Sequence, residues 1–507
     1  MEQTQSPTSP SQEFNIQKAT LRGTFWNYAS YFSGKFLIFL STLFLAQLLS
    51  QSDYGRASYA FAIISFIEIA SDLGVGAALI YHREEPKATD TAFWMTLGIG
   101  AALSLIIWLA GPLAGALFNT PEAIVVTQVL GLQFFITALG DVHNTLLQKN
   151  LSFRLKFIPD LAQSVGKAVF TIVFALMGWG PWSLIWGQLV SFMVANVVLW
   201  LVTGWNPTFQ FSPTIARSLL KYGGNFSLVN IAGIILLNVD YLFVGRFLGE
   251  VALGTYTFAF RIPELLIKQL CGVIGKVIFP IYTKVRDDTE ALRRGFLDTM
   301  RYVTLVTVPL GLGLIIVARP FVLVLFTEKW ADTIPVMQAI SLYCLSISVA
   351  FNAGDIFKAQ GRLAILTLLS VSKLMVLIPG LWWAVTAPLG GLQQNIVAVA
   401  IVQAGVAVIG DAINLYVVAR VLKASLREVL QALTPSFAGG AIMSLAMLAA
   451  LTTLASASLL IQLLVSVGVG GLTYLAAMWW LQRDLVRLGW KKARQLLGPP
   501  ETKPLGS

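Results

Sequence analysis

Between Phe25 and Gln482 the chain alternates long apolar runs with short polar breaks. The runs reach about 20 residues or more, the length a helix needs to cross the hydrocarbon of a bilayer. The pattern predicts about fourteen spans. They lie at approximately 25–49, 54–81, 88–117, 122–147, 157–177, 181–203, 217–247, 252–282, 295–326, 333–357, 363–386, 391–419, 428–454 and 458–481. Several exceed the bilayer thickness, which implies tilt or ends that extend into water. The expected fold class is an all-α polytopic membrane protein. The expected organisation is a cytoplasmic disordered tail over 1–24, an N-terminal lobe of spans 1–6 over 25–203 and a linker over 204–216. A C-terminal lobe of spans 7–12 over 217–421, spans 13–14 over 422–482 and a basic cytoplasmic tail over 483–507 complete it.

The pattern also repeats. LAQLLSQSDYGRASYAFAI from Leu45 aligns with VGRFLGEVALGTYTFAFRI from Val244, pairing Leu49 with Leu248, Gly55 with Gly254, and Ala60-Phe61 with Ala259-Phe260. GPLAGALFNT from Gly111 resembles RPFVLVLFTE from Arg319, and QSVGKAVF around Lys167 resembles LSVSKLMV around Lys373. The offset is about 200 residues, or six spans of the length a bilayer requires. An even number of spans per repeat makes both halves cross in the same direction. That predicts two pseudo-symmetric six-helix bundles about an axis along the membrane normal, with a cleft between them. Repeats also occur in channels, so the pattern supports a transporter without requiring one.

Composition agrees. The 507 residues are 56% hydrophobic and 12% charged, with mean hydropathy +0.74; a soluble domain carries about twice that charge fraction. The first residues, MEQTQSPTSPSQEF, lack a charged segment followed by an apolar core, so no cleavable signal peptide is expected. The two cysteines, Cys271 and Cys344, fall inside apolar runs and suggest neither a redox compartment nor a metal site.

The net charge of +10 is distributed as a topology signal. One set of loops holds Lys149, Arg154 and Lys156; Lys284, Arg286, Arg293 and Arg294; Lys358 and Arg362; and Arg420, Lys423 and Arg427. The tail adds Arg483, Arg487, Lys491, Lys492 and Arg494, while the alternate loops carry little beyond Arg56, Arg246 and Lys329. The positive-inside rule then places both termini in the cytoplasm. Nucleic acid is not an expected partner, because no basic face combines with aromatics outside the spans. Trp179, Trp182, Trp205, Trp330 and Trp490, near span ends, are expected to anchor at the interface.

The charges within the spans carry the candidate chemistry, since each costs about 2.5–3.5 kcal/mol at the centre of a bilayer helix. Arg261, Glu264, Lys268 and Lys276 share one apolar run. At 100° per residue they fall within an arc of about 120°. Arg261 and Lys276, about 22 Å apart along the axis, could snorkel to opposite interfaces. Lys268 lies near the midplane, with Glu264 four residues before it in the favourable order for a pair. Lys35, Lys167 and Lys373 lie in three other spans; Glu68 and Asp72 share a face, as do Asp298 and Arg301. Asp240, Asp141, His143, Asp355 and Asp411 complete the set, with His143 read as a packed polar residue rather than a proton relay. Two readings stand side by side. The charges either form buried ion pairs that fix helix packing, or they line a substrate cavity. The candidate binding residues are Arg261, Lys268, Lys35, Lys373, Lys167, Lys276 and Arg301; the coupling or ion-pair candidates are Glu264, Glu68, Asp72, Asp240 and Asp298. There is no phosphate-binding loop, no metal-ligand spacing and no Gly-x-Ser-x-Gly, and the loops are short, so neither an enzyme nor a cofactor is expected. The energy source would be an ion gradient, the membrane potential or the substrate gradient.

The segment from Leu237 carries Asp240, then Gly245-Arg246-x-Leu248-Gly249, then Leu253-Gly254-x-Tyr256-x-x-Ala259, with Pro280 near the end of the span. The first half carries a degenerate version at Tyr54-Gly55, followed by SDLGVGAALI. This pattern resembles the polysaccharide transporter family of bacterial lipid-linked oligosaccharide flippases, of the exopolysaccharide, O-antigen and colanic-acid type, over nearly the whole chain. The resemblance implies two six-helix bundles around a central cavity plus two C-terminal helices. It implies movement of an undecaprenyl-pyrophosphate-linked sugar unit across the bacterial cytoplasmic membrane. It names no substrate residues. The residues themselves supply an electrostatic reading, in which Arg and Lys in a low-dielectric cleft favour an anionic diphosphate. Expected partners are the lipid-linked oligosaccharide, membrane lipids, and polysaccharide polymerase and chain-length regulator proteins. The rival readings are a peptidoglycan lipid-precursor flippase, an ion-coupled multidrug antiporter of the same superfamily, and a membrane polymerase or ligase. The last is opposed by the short outer loops.

Overall fold

A computed structural model of the chain describes residues 33–71, 75–76, 79, 86–150, 152–224 and 227–482. Both expected tails, Asp72 and Trp490 lie outside the described residues. Among the described residues every regular element is a helix. In chain order these are α1 (Ser33–Leu48), α2 (Gln51–Ser71), α3 (Pro86–Phe118), α4 (Glu122–Gly131), α5 (Gln133–Lys149), α6 (Phe153–Leu176) and α7 (Pro181–Thr203). They continue as α8 (Pro213–Gly224), α9 (Ser227–Phe243), α10 (Gly249–Pro263), α11 (Gln269–Lys284) and α12 (Thr289–Leu325). The last five are α13 (Thr333–Ala359), α14 (Leu363–Thr386), α15 (Leu392–Val421), α16 (Leu426–Thr453) and α17 (Leu459–Leu481).

Eleven helical stretches among the described residues are long and apolar enough to cross a membrane. Large apolar side chains stand outward on them, such as Leu201 at 77% and Leu472 at 72% exposure. Because a helix pairs its backbone groups within itself, such surfaces suit lipid. The chain is therefore an all-α polytopic membrane protein. One stretch, Ala232–Lys284, is 53 residues long, which at 1.5 Å per residue is about 80 Å, more than twice the hydrocarbon thickness. Gly249 divides it. Its φ of 82° and ψ of −171° are open to glycine and strained for other residues.

The start of the expected seventh span lies in α8. Pro213 opens α8, which takes the last residues of the expected 204–216 linker. Ala216 and Leu219 on α8 are buried against Phe93 and Val142. The helix is amphipathic and packs on α3.

Contacts gather the chain into two compact units, one of residues up to 258 together with 370–399, the other of 259–369 together with 400 onward. In the first, α6 packs along α7, and α3 packs on α4 and α5. Its polar interior centres on His143, which is fully buried, stacks on Trp200 at 4.6 Å and meets the Trp205 carbonyl oxygen at 3.2 Å through Nε2. Trp205 thus packs on His143 and Phe93. In the second unit α12 is the central helix, packed on α13, α16 and α17. Trp330 is fully buried. The expectation of an interfacial anchor fails there, because the short helical turn Glu328–Trp330 folds the indole into the core. Trp179 is 40% exposed and stacks on Phe174, which suits an interfacial position.

Candidate functional site

The charged run begins where α10 ends. Pro263 has no N–H to donate to the carbonyl of Ala259, four residues back. The helix widens at once into a single π turn over Glu264–Lys268, closed by Gln269 N–H donating to Glu264 O across five residues. Such turns insert an extra residue and concentrate at functional positions. The insertion also resets the register by about 100°. A wheel drawn at 100° throughout therefore misplaces residues beyond Lys268 relative to Arg261. The Lys276 side chain lies outside the described residues.

Within the turn, Lys268 Nζ donates to Glu264 Oε1 at 3.0 Å, with the two side chains 30% and 36% exposed. Ile267, between them, is fully buried, and the turn packs on α12 and α13. Arg261, three residues before Glu264, is half-buried. Its guanidinium has no ion-pair or hydrogen-bond partner among the described residues. Arg301 on α12 reaches Asp298 at 3.5 Å, with Asp298 exposed. These four cation and carboxylate positions, with Arg261, all belong to the second unit.

Lys35, Lys167 and Lys373 belong to the first unit and are half-buried. Glu68 on α2 is exposed. Asp240 is fully buried and accepts from the Tyr256 hydroxyl at 2.7 Å. That contact joins the first and a later residue of the motif quoted above, with Tyr256 itself fully buried. Asp411 is buried and accepts from Ser346 Oγ at 2.8 Å, and Asp355 lies 4.0 Å from Lys358. The structure thus brings Glu264 to Lys268 and Asp298 to Arg301. It gives Asp240 a tyrosine partner that spacing did not suggest.

A further polar cluster was not singled out by the sequence. Arg56 on α2 donates from Nε to Glu250 Oε2 at 2.8 Å and from Nη2 to Glu250 Oε1 at 3.2 Å. The same Nε stands 2.9 Å from Glu122 at the start of α4, and Ser52 Oγ donates to Glu250 Oε1 at 2.6 Å. One guanidinium therefore ties α2, α4 and α10 together. Beside it α2 and α10 approach at Gly55 and Gly254, where a Cβ on either glycine would stand 1.8 Å from a carbonyl oxygen of the other helix. Small residues at such a crossing let two membrane helices touch backbone to backbone. The signals were present as the repeat-paired glycines and as Arg56, a rare cation in its set of loops.

Solved structures share this fold. The chain resembles the lipid II flippase MurJ in its inward closed conformation, with TM-score 0.70, 16% identity, and coverage of 92% of this chain and 100% of that one. It also resembles an inward-facing multidrug resistance MATE family transporter of the MOP superfamily, with TM-score 0.61, 18% identity, and coverage of 78% and 95%. The helices thus share the fold of these two proteins. The family model described as polysaccharide biosynthesis protein matches residues 44–335, and the chain belongs to that family. Among curated relatives, it is 25% identical to the lipopolysaccharide biosynthesis protein WzxC of Escherichia coli K12, over 72% of this chain and 75% of that protein. It is 23% identical to the teichuronic acid biosynthesis protein TuaB of Bacillus subtilis, over 83% and 87%. It is 27% identical to the succinoglycan biosynthesis transport protein ExoT of Rhizobium meliloti, over 64% and 66%.

Proposed function

We propose that the chain is a flippase of the bacterial cytoplasmic membrane that carries an undecaprenyl-pyrophosphate-linked oligosaccharide from the inner to the outer leaflet by alternating access. It would serve exopolysaccharide, capsule or O-antigen biosynthesis. The observation that carries the substrate charge is Arg261, a half-buried guanidinium in an apolar run with no partner among the described residues. A phosphate oxygen about 4 Å from it would gain about 4 kcal/mol at an effective dielectric of 20. Lys268, paired with Glu264 at 3.0 Å, adds a second cation seven residues further along the same helical stretch. Lys35, Lys167, Lys373 and Arg301 are the further cationic candidates. The crossing of α2 and α10 supports alternating access, because equivalent ends of the two repeats close on one another there and would separate in an opposite-facing state.

The test is transport in proteoliposomes with three substrates offered separately: an undecaprenyl-pyrophosphate oligosaccharide, a peptidoglycan lipid precursor and a cationic drug. Transport of the first alone supports the reading. Transport of the peptidoglycan precursor instead replaces the substrate, and transport of the drug instead makes the protein an antiporter.

A further inference from the structure

We propose that the end of α11 and the turn between α13 and α14 form a binding site for the phosphate headgroup of an anionic phospholipid. The site is separate from Arg261 and does not rest on the transport reading.

A cavity of about 570 Å³ lies there, lined by Phe279 and Thr283 of α11, by Arg286 and Asp287 beyond its end, and by the turn from Lys358 to Arg362. Its size is that of an ordinary small-ligand site, about 300–1,000 Å³. Three cations and one carboxylate face it, and the other acids of these loops are engaged elsewhere. Asp288 caps α12, accepting from the N–H groups of Glu290 and Ala291 at 3.0 Å. Glu290 holds Arg293 at 2.8 Å. Asp355 reaches Lys358 only at 4.0 Å, and Asp287 reaches Arg286 only at 3.7 Å while 96% exposed. The Arg362 guanidinium has no ion-pair or hydrogen-bond partner among the described residues. The cavity therefore carries a surplus of positive charge and a planar fork of donors suited to phosphate.

Depth and apolar surroundings select a lipid over a soluble anion. The candidate spans end at Lys284 and Ala359 and resume at Leu363, so the cavity lies at the level where a span passes into water. Phe279, which lines it, and Leu363, next in sequence to the lining Arg362, each expose 39% of their surfaces. An anion with an attached acyl chain satisfies both features at once. Basic pockets between spans at this level bind anionic headgroups, and each nearby Lys or Arg contributes about 1 kcal/mol.

The opposing account is that these cations serve only membrane orientation, in which case any cation on the same set of loops is equivalent. The experiment titrates fluorescent phosphatidylglycerol into the full-length protein in phosphatidylcholine nanodiscs. Compared with the unaltered chain are Arg286→Gln, Arg362→Gln, their double variant, and the control variants Arg427→Gln and Lys149→Gln. The expected result is about fivefold weaker binding for each pocket variant and about twentyfold for the pair, with controls within about twofold. Should the double variant fail to fold, Arg362→Gln carries the same test, since that side chain is exposed and makes no ion pair or hydrogen bond among the described residues. Equal losses in pocket and control variants would overturn the proposal. So would displacement of the probe by millimolar inorganic phosphate, which would make this a small-anion site, or equal binding of fluorescent phosphatidylcholine.

Discussion

Gly55 and Gly254 occupy equivalent positions in the two sequence repeats and meet each other reciprocally. A Cβ on Gly55 would stand 1.8 Å from the carbonyl oxygen of Glu250, and one on Gly254 would stand 1.8 Å from that of Gln51. Gln51 and Glu250 are themselves repeat partners, each four residues before its glycine. Each repeat thus presents the same patch to the other, which is what a two-fold axis produces at a symmetric contact.

Alanine at either glycine has no space, and the obstacle is backbone rather than a side chain that could turn away. Gly55→Ala and Gly254→Ala are each expected to destabilise the observed state by about 1–3 kcal/mol. The double variant should lose less than the sum, because the first opening relieves the second contact. Denaturation of the three variants in one detergent checks this; full additivity would mean that the glycines do not share a contact.

Arg56 should couple to Glu250 more strongly than to Glu122. The first pair has two donor–acceptor contacts and the second has one, and all three side chains are partly exposed. Double-mutant cycles should give about 1 kcal/mol for Arg56–Glu250 and less for Arg56–Glu122. Arg56→Lys should not restore the coupling, because an ammonium cannot reproduce the planar fork.

Tyr256→Phe removes a donor from a fully buried carboxylate. It should cost about 1–3 kcal/mol of stability, measured by denaturation, and Asp240→Asn combined with it should recover part of that loss. A neutral result for Tyr256→Phe would show that the hydroxyl is not needed by Asp240.

Orientation follows from the loop charges. Reporter fusions at positions 120, 178 and 388 should read outside and those at 152, 288 and 424 inside. A reversed pattern at most of these sites would reject the orientation and move the lipid site to the other leaflet. The fourteen-span reading further requires that Ala232–Lys284 cross twice, divided at Gly249, and that α1 and α2 both cross.

Much of the fold was legible because span length and loop charge are local properties. The repeat was legible because turn and close-packing residues recur with their spacing, and Gly55 and Gly254 show why. The Glu264–Lys268 and Asp298–Arg301 pairs were legible because neighbours three or four residues apart on a helix are near in any fold. What escaped was non-local or depended on one missing hydrogen bond. Arg56 finds Glu250 across 194 residues, and no periodicity announces that. The π turn follows from Pro263, whose effect on register a uniform wheel ignores. Trp330 sits at a span end in sequence, yet the turn that carries it folds inward.

The central claim is that Arg261 and Lys268 act on an anionic headgroup rather than on packing. The direct measurement is transport of an undecaprenyl-pyrophosphate oligosaccharide by Arg261→Gln and Lys268→Gln, expressed per folded molecule. Loss of the attraction is expected to lower this rate by about tenfold or more, on the scale of 1.4 kcal/mol per decade. Folded yield should be little changed for Arg261→Gln, which breaks no hydrogen bond or ion pair among the described residues. Full activity per folded molecule in both variants, with yield reduced only where Glu264 has lost its lysine, would contradict the account and leave the charged turn a structural ion pair.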